Sequence, residues 1–229
     1  MLIGKRMTKN PITVTKDMPV DKALQLMRKE KIRRFPVLDK KGNLVGMVAE
    51  KDLLYASPSA ATALSIYEVA YLLSKITVGD VMASDVITAG EDVPLEEAAA
   101  IMADNQIGAL PVVREGKLVG IVTETDLFKV FLEVFGAREG GVRVAMMVPD
   151  RAGVLAIISG KIAELGSNIT ALGSSAGEDS STKEITIRVA DIEKSVLVDA
   201  ILGLDLGIEI LDARVCTPVG CESQGAVVD

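Results

Sequence analysis

The sequence predicts an α+β protein: a small α/β unit present twice, followed by a separate two-layer domain. Three observations predict it. LVGMVAEKDLL at Leu44–Leu54 recurs in register as LVGIVTETDLF at Leu118–Phe128. A glycine-rich stretch, GAREGG at Gly136–Gly141, then punctuates the chain as linkers do. Beyond it the apolar pattern reads strand, helix, strand, strand, helix, strand, a different order from that of the repeat.

The duplication extends upstream. Met7–Thr13 matches Met82–Thr88 and Phe35-Pro36-Val37 matches Leu110-Pro111-Val112, at an offset of 75 residues that falls to 74 after the turn. That period is too long for a solenoid and reads as two small domains facing each other. In the first copy, Asn10-Pro11 holds Ile12-Thr13-Val14 extended, because the residue before a proline is pushed out of the helical region. Val20, Ala23, Leu24 and Met27, at three- and four-residue spacing, predict a helix over Pro19–Lys31. Phe35–Leu38 and Leu44–Val48 predict a hairpin, and Asp52 opens a second helix. In the second copy Ile87-Thr88 is the strand, Pro94–Asp104 the helix, and Ala109–Val113 and Leu118–Val122 the hairpin. A helix then runs over Leu127–Phe135. Met7, Met27, Met82 and Met102 recur at matching positions and are expected in the core.

Between the copies, Ser57-Pro58-Ser59 is a helix-start signal and Ile66, Val69, Ala70 and Leu73 form an apolar stripe. The domain reading is therefore repeat 1 over 1–56, a bridging helix over 57–77, repeat 2 over 78–136, a linker over 137–141, the second domain over 142–215 and a disordered tail over 216–229. In the second domain, strands over Val142–Val148, Asn168–Leu172, Glu184–Val189 and Ile208–Val215 enclose helices over Val154–Leu165 and Ile192–Leu202. Ser174–Thr182 is expected to be a mobile polar tip. This βαββαβ order is the ferredoxin-like arrangement among two-layer folds.

Composition narrows the function. The net charge is −7, which argues against a general nucleic-acid binder. Its distribution is uneven: residues 1–75 carry 14 basic against 7 acidic side chains, residues 76–136 carry 3 against 11, and the remainder 8 against 14. Histidine is absent, which removes imidazole as base, nucleophile helper or metal ligand. Cys216 and Cys221, spaced C-x4-C, carry no specific signal of metal or redox chemistry. With two thiols, no secretory h-region and no run near 18 apolar residues, a soluble cytoplasmic protein is the expectation, without a membrane partner. No nucleophile–base pair or glycine-rich phosphate loop is present, so a non-enzyme is expected.

The candidate chemistry lies at Thr123-Glu124-Thr125-Asp126, where a strand ends and a helix begins. Thr123 and Asp126 can form a capping box. The same hydroxyl, carboxylate and free backbone N–H groups also suit a phosphorylated sugar. The first copy reads Ala49–Asp52, keeping the acid and losing the hydroxyl. Arg33 and Arg34 are either a solvated helix end beside Lys29 and Lys31 or donors to phosphate, which a planar guanidinium fork suits.

The duplicated unit, with GMVAEKD at Gly46–Asp52 and GIVTETD at Gly120–Asp126, resembles a cystathionine-β-synthase (CBS) domain pair, the Bateman module. Residues 142–215, with PDRAGVLAIISGKIAELGSNI, resemble an ACT domain, the small amino-acid-sensing regulatory fold. The order CBS–CBS–ACT with LSIYEVAYLLSKI between the copies is similar to the acetoin-utilisation protein B-like family. The resemblance implies a non-catalytic regulatory sensor with an adenine nucleotide or related adenosyl ligand (AMP, ATP, NAD or S-adenosylmethionine) in a cleft between the repeats. It requires no cofactor, and it implies a homodimer acting on a metabolic enzyme.

The main cleft implied by the resemblance pairs Thr123 and Asp126 with Ile12, Thr13, Arg33, Arg34, Phe35 and Pro36. A second, weaker cleft pairs Asp52 with Ile87, Thr88, Gly108, Ala109, Leu110 and Pro111. An amino-acid site in the ACT domain would use Asp150, Arg151, Gly153, Val154, Leu155, Asn168 and Ile169, at an interface between two such domains. The alternative is a structural dimerisation or assembly module with vestigial clefts, in which Thr123–Asp126 is only a cap and Asp150–Gly153 only a turn.

Overall fold

A computed structural model describes residues 1–56 and 75–221, in two compact units, Met1–Leu127 and Phe128–Asp229. The bridging helix expected over 57–77 lies outside the described residues except for its last three positions, of which Thr77 caps a short helix.

The first unit contains the duplication. In repeat 1, β2 (Val14–Thr15) lies parallel to β3 (Arg34–Leu38), which pairs antiparallel with β4 (Leu44–Ala49). Helix α1 (Val20–Glu30) packs on this sheet and α2 (Glu50–Tyr55) follows it. The apolar spacing of α1 does what it predicts: Val20, Ala23, Leu24 and Met27 are buried, with Phe35, Val37, Val48 and Leu53 in one core. Lys31, in the left-handed region at φ 54°, ends the helix. In repeat 2, α3 (Val78–Val81) and α4 (Leu95–Asp104) precede β5 (Ala109–Arg114) and β6 (Lys117–Thr123), and α5 (Glu124–Val134) follows. Ile87-Thr88 forms no strand; only Ala89 bridges, in parallel, to Val112.

The two repeats exchange their leading segments. β1 (Thr8–Lys9), which belongs to repeat 1 by sequence, pairs antiparallel with β6 of repeat 2, Thr8 opposite Ile121 and Lys9 opposite Gly120. Reciprocally, Ala83 bridges to Met47 of β4, each N–H donating to the other's carbonyl at 2.9 Å. Met7 and Met82 thereby cross onto the sheet of the opposite copy. A Cβ at Gly120 would overlap Met7 Sδ, and one at Gly46 would overlap Met82 Sδ. The glycine in each copy of LVG is where the other copy's methionine crosses.

The second unit is a sheet in the order β11-β10-β7-β9-β8. Its strands are β7 (Gly141–Pro149), β8 (Asn168–Ala176), β9 (Thr182–Ala190), β10 (Glu209–Thr217) and β11 (Gly220–Cys221). Helices α6 (Val154–Glu164) and α7 (Lys194–Leu202) cover one face, burying Ile158, Ile162, Leu197 and Ile201 against Val144, Met146 and Ile187. Two expectations are corrected. β8 runs on through Ser174–Ala176, in register with β9, into the stretch expected to be a mobile tip. Of the tail expected from Cys216, the described part folds back as the β10–β11 hairpin, with Cys216, buried at 3% exposure, opposite Cys221 and disulfide-bonded to it. Among the described residues no helix is long and apolar enough to cross a membrane.

Candidate functional site

Each hairpin ends beside the helix that follows it, and the backbone ties the two together in the same way in both copies. Glu50 N–H donates to Arg33 O at 2.9 Å, and Glu124 N–H to Gly108 O at 3.3 Å. The helix starts then differ. Thr123 Oγ1 donates to Asp126 Oδ2 at 2.7 Å, Thr123 N–H reaches the same oxygen at 3.0 Å, and Asp126 N–H approaches Thr123 Oγ1 at 3.4 Å. This is a complete capping box. In the first copy Ala49 N–H donates to Asp52 Oδ2 at 2.9 Å, and alanine has no hydroxyl to complete the box.

A cavity of ≈ 260 Å³ opens between the repeats on the Asp52 side. Its apolar wall includes Met47, Val86, Ile87, Ile107 and Pro111, and its polar groups are Arg34, Lys51, Asp52, Asp85 and Gln106. Val48 and the small residues Ala49, Ala83, Gly108 and Ala109 complete the lining. This is the composition of a small-molecule site, an apolar body with a few converging polar groups. A Cβ on Gly108 would overlap the Arg34 guanidinium and the Glu124 carboxylate, so glycine there makes room for that ion pair. Arg34 Nη2 and Glu124 Oε2 are 3.5 Å apart in it.

The structure redistributes the sequence-predicted residues. Of the Asp52 cleft, Asp52, Ile87, Gly108, Ala109 and Pro111 line the cavity; Thr88 and Leu110 do not. Side chains alternate along β5, so Ala109 and Pro111 face the cavity while Leu110 is fully buried in the opposite direction. Of the Thr123–Asp126 cleft, Arg34 is found instead among the Asp52 residues, because the β3–β4 register sets it directly opposite Ala49. Arg33 lies in the bend before β3 and its side chain is exposed outside this cavity, so Arg33 and Arg34 do not converge on it as a pair. Phe35 is fully buried in the repeat 1 core and offers no ring to a cleft, and Pro36 is buried beside it. Ile12 is 40% exposed and Thr13 partly buried, neither on this cavity. Lys51, Asp85, Val86, Gln106 and Ile107 were missed by sequence reasoning. The match of Met82–Thr88 to Met7–Thr13 was the available signal for the segment carrying Asp85 and Val86.

In the second unit, Gly153 sits at φ 90° as the N-cap of α6, with open space where a Cβ would be. Positive φ therefore explains this glycine without a ligand. Asp150 pairs with Lys183 at 3.1 Å, Arg151 is exposed, Val154 is buried in the core and Leu155 is 42% exposed. Asn168 and Ile169 are not with them. Asn168 lies opposite Ala190 and Ile169 opposite Val189, whereas Pro149 lies opposite Thr182 at the far end of β9. Eight residues of strand separate the two groups, about 25 Å. One chain therefore does not assemble the whole expected set. Among the described residues no group of three or more His, Cys, Asp or Glu side chains is placed to hold a metal ion.

Comparison with known proteins agrees with the duplication. The family model described as CBS domain matches residues 3–59 and 78–133. A CBS domain-containing protein of Dictyostelium discoideum is 31% identical over 135 residues, 58% of this chain and 93% of that one. Among solved structures, CBSX2 of Arabidopsis thaliana in complex with AMP is 31% identical, covering 58% of this chain and 97% of that chain with a TM-score of 0.49. A Vibrio cholerae structure assigned as a putative acetoin utilization protein is 30% identical, covering 58% and 90% with a TM-score of 0.49.

Proposed function

This chain belongs to the CBS-domain family, and from that premise we propose that its paired repeats are a non-catalytic sensor for an adenosyl ligand, bound in the Asp52 cavity. The observation that carries the reading is that cavity itself: a carboxylate, a guanidinium and an apolar wall converging on one hollow between the copies. Asp52 uses one oxygen to cap α2 and, as a carboxylate, retains acceptor capacity for a ribose diol. Ile87 and Pro111 offer apolar contact for a purine, and Arg34, whose Nη2 is ion-paired with Glu124 at 3.5 Å, offers its remaining donors to a phosphate. Binding one arrangement of the repeats better than another is what would turn occupancy into a signal, by as much as the difference in affinity.

The test is a set of thermal melts with AMP, ATP, NAD and S-adenosylmethionine. A ligand at 100 times its dissociation constant adds about 2.7 kcal/mol of stability. Absence of a shift with any adenosyl compound would leave the assembly-module reading, which the complete Thr123–Asp126 cap favours for that copy of the motif. Arg34→Gln is expected to weaken phosphate-bearing ligands by about tenfold, the loss of one charge-assisted contact, and to spare those without a phosphate in reach. Equal weakening of all of them would remove Arg34 from phosphate recognition.

The same proposal assigns residues 142–215 to a ferredoxin-like ACT domain. Supporting this are the βαββαβ order and the strand order β10-β7-β9-β8, with both helices on one face. Because Asp150 and Asn168 lie at opposite ends of one sheet, an amino-acid site using both would draw them from two chains, in a homodimer. Titration with an amino-acid panel is therefore expected to give binding that weakens on dilution below the dimerisation constant. Concentration-independent binding would contradict the shared site. The regulated partner would be a metabolic enzyme, by family analogy alone.

A further inference from the structure

The second unit carries a row of three arginines that neither proposed site uses. In the antiparallel registers Arg188 of β9 lies opposite Arg143 of β7, and Arg143 lies opposite Arg214 of β10. Cross-strand partners share a face, so three guanidinium stems rise side by side from adjacent strands. That face is the one away from the helices, since Val142, Val144, Ile187 and Val189 point into the helix-covered core. Like charges placed opposite one another destabilise a sheet.

The neutralisation is incomplete. Asp212 accepts from Arg143 Nη1 and Arg214 Nε, both at 2.7 Å, one on each carboxylate oxygen. Arg188 is only 5% exposed, and among the described residues no carboxylate lies within ion-pair distance of it. Its Nη1 donates to Glu139 O at 2.8 Å, its Nη2 to Cys221 Sγ at 3.9 Å, and its buried Nε has no hydrogen-bond partner. Burial first, and then the Arg143 charge, push the Arg188 guanidinium below its ordinary value, with Glu139 acting in the other direction. Gly136 backs Arg188, while Arg143 and Arg214 keep about a third of their side-chain surface open. A buried guanidinium with an unsatisfied Nε and no carboxylate in ion-pair distance, beside two partly open ones, is an arrangement that a counter-anion would complete.

We propose that the outer face of this sheet binds a small oxyanion ligand, a carboxylate or phosphate compound, between Arg143, Arg188 and Arg214, with Asp212 as the built-in anion that holds the row together. Multiple guanidinium forks on adjacent strands present the planar, paired donors that such groups accept.

The experiment is titration of the full-length protein with inorganic phosphate and, separately, with succinate, against potassium chloride of equal ionic strength, followed by thermal melts and calorimetry. Stabilisation by one of the two beyond the chloride control is expected, and the responding arm identifies the ligand chemistry. Arg143→Gln and Arg214→Gln, both at partly open positions, are each expected to weaken that binding about tenfold. Asp212→Asn removes the competing carboxylate, so it is expected to tighten anion binding while lowering the melting temperature without anion; a purely structural role of the row predicts no tightening. A wild-type response no larger than chloride for both anions would overturn the proposal. So would a response that survives unchanged in both arginine variants.

Discussion

Asp52→Ala is expected to erase the stabilisation that an adenosyl ligand confers, a loss of about 2.7 kcal/mol at a ligand concentration 100 times the dissociation constant. The expectation follows from where the hollow lies. Asp52 is on the cavity wall beside Arg34 and opposite Gly108 and Ala109, and one of its oxygens is occupied by a single backbone N–H. Asp126 is the contrasting case: the hydroxyl and the N–H of Thr123 both donate to its Oδ2, and it does not line this cavity. Asp126→Ala should therefore lower intrinsic stability by about 1 kcal/mol through the lost cap and leave the ligand response in place. Melts of the two variants with and without ligand separate these effects. If Asp126→Ala removes the response and Asp52→Ala keeps it, the ligand sits in the opposite cleft.

The second large effect concerns the exchange of leading segments. Gly46→Ala and Gly120→Ala are each expected to cost about 1–3 kcal/mol, because the added methyl enters space held by a methionine sulfur and by backbone from the other repeat. Gly46 would also meet Ala83 O at 3.0 Å, and Gly120 would meet Thr8 O at 3.1 Å, so a rotamer change of methionine alone does not relieve the clash. A double-mutant cycle is the discriminating form. Gly46→Ala and Met82→Ala should couple by at least about 0.5 kcal/mol, since the second change empties the space that the first one needs. Urea unfolding of the two single variants and the double variant gives the coupling directly. Strict additivity would mean that Met82 does not cross onto the first repeat's sheet.

Much of the fold was readable because local signals agreed with the global one. Helix α1 begins and ends within a residue of what its apolar spacing implies, and both hairpins fall on the expected runs. The exchange of Met7–Thr8 and Met82–Ala83 was not readable. An internal alignment says which residues are equivalent and nothing about which copy's sheet they join. The side chosen by Arg34 was hidden for a related reason: it depends on the register that sets Arg34 opposite Ala49, while Arg33 lies just outside the strand. The separation of Asp150 from Asn168, by contrast, was implicit in the predicted order. In a strand–helix–strand crossover the second strand starts beside the start of the first, so a residue opening β8 cannot meet the loop that follows β7. The Cys216–Cys221 hairpin gave no periodic signal because β11 is two residues long.

The most direct measurement is the number of adenosyl ligands bound per chain, by calorimetric titration with whichever member of the panel gives the largest thermal shift. One ligand per chain is expected, lost in Asp52→Ala and kept in Asp126→Ala. Two equivalent ligands per chain, or one that persists without the Asp52 carboxylate, would contradict it.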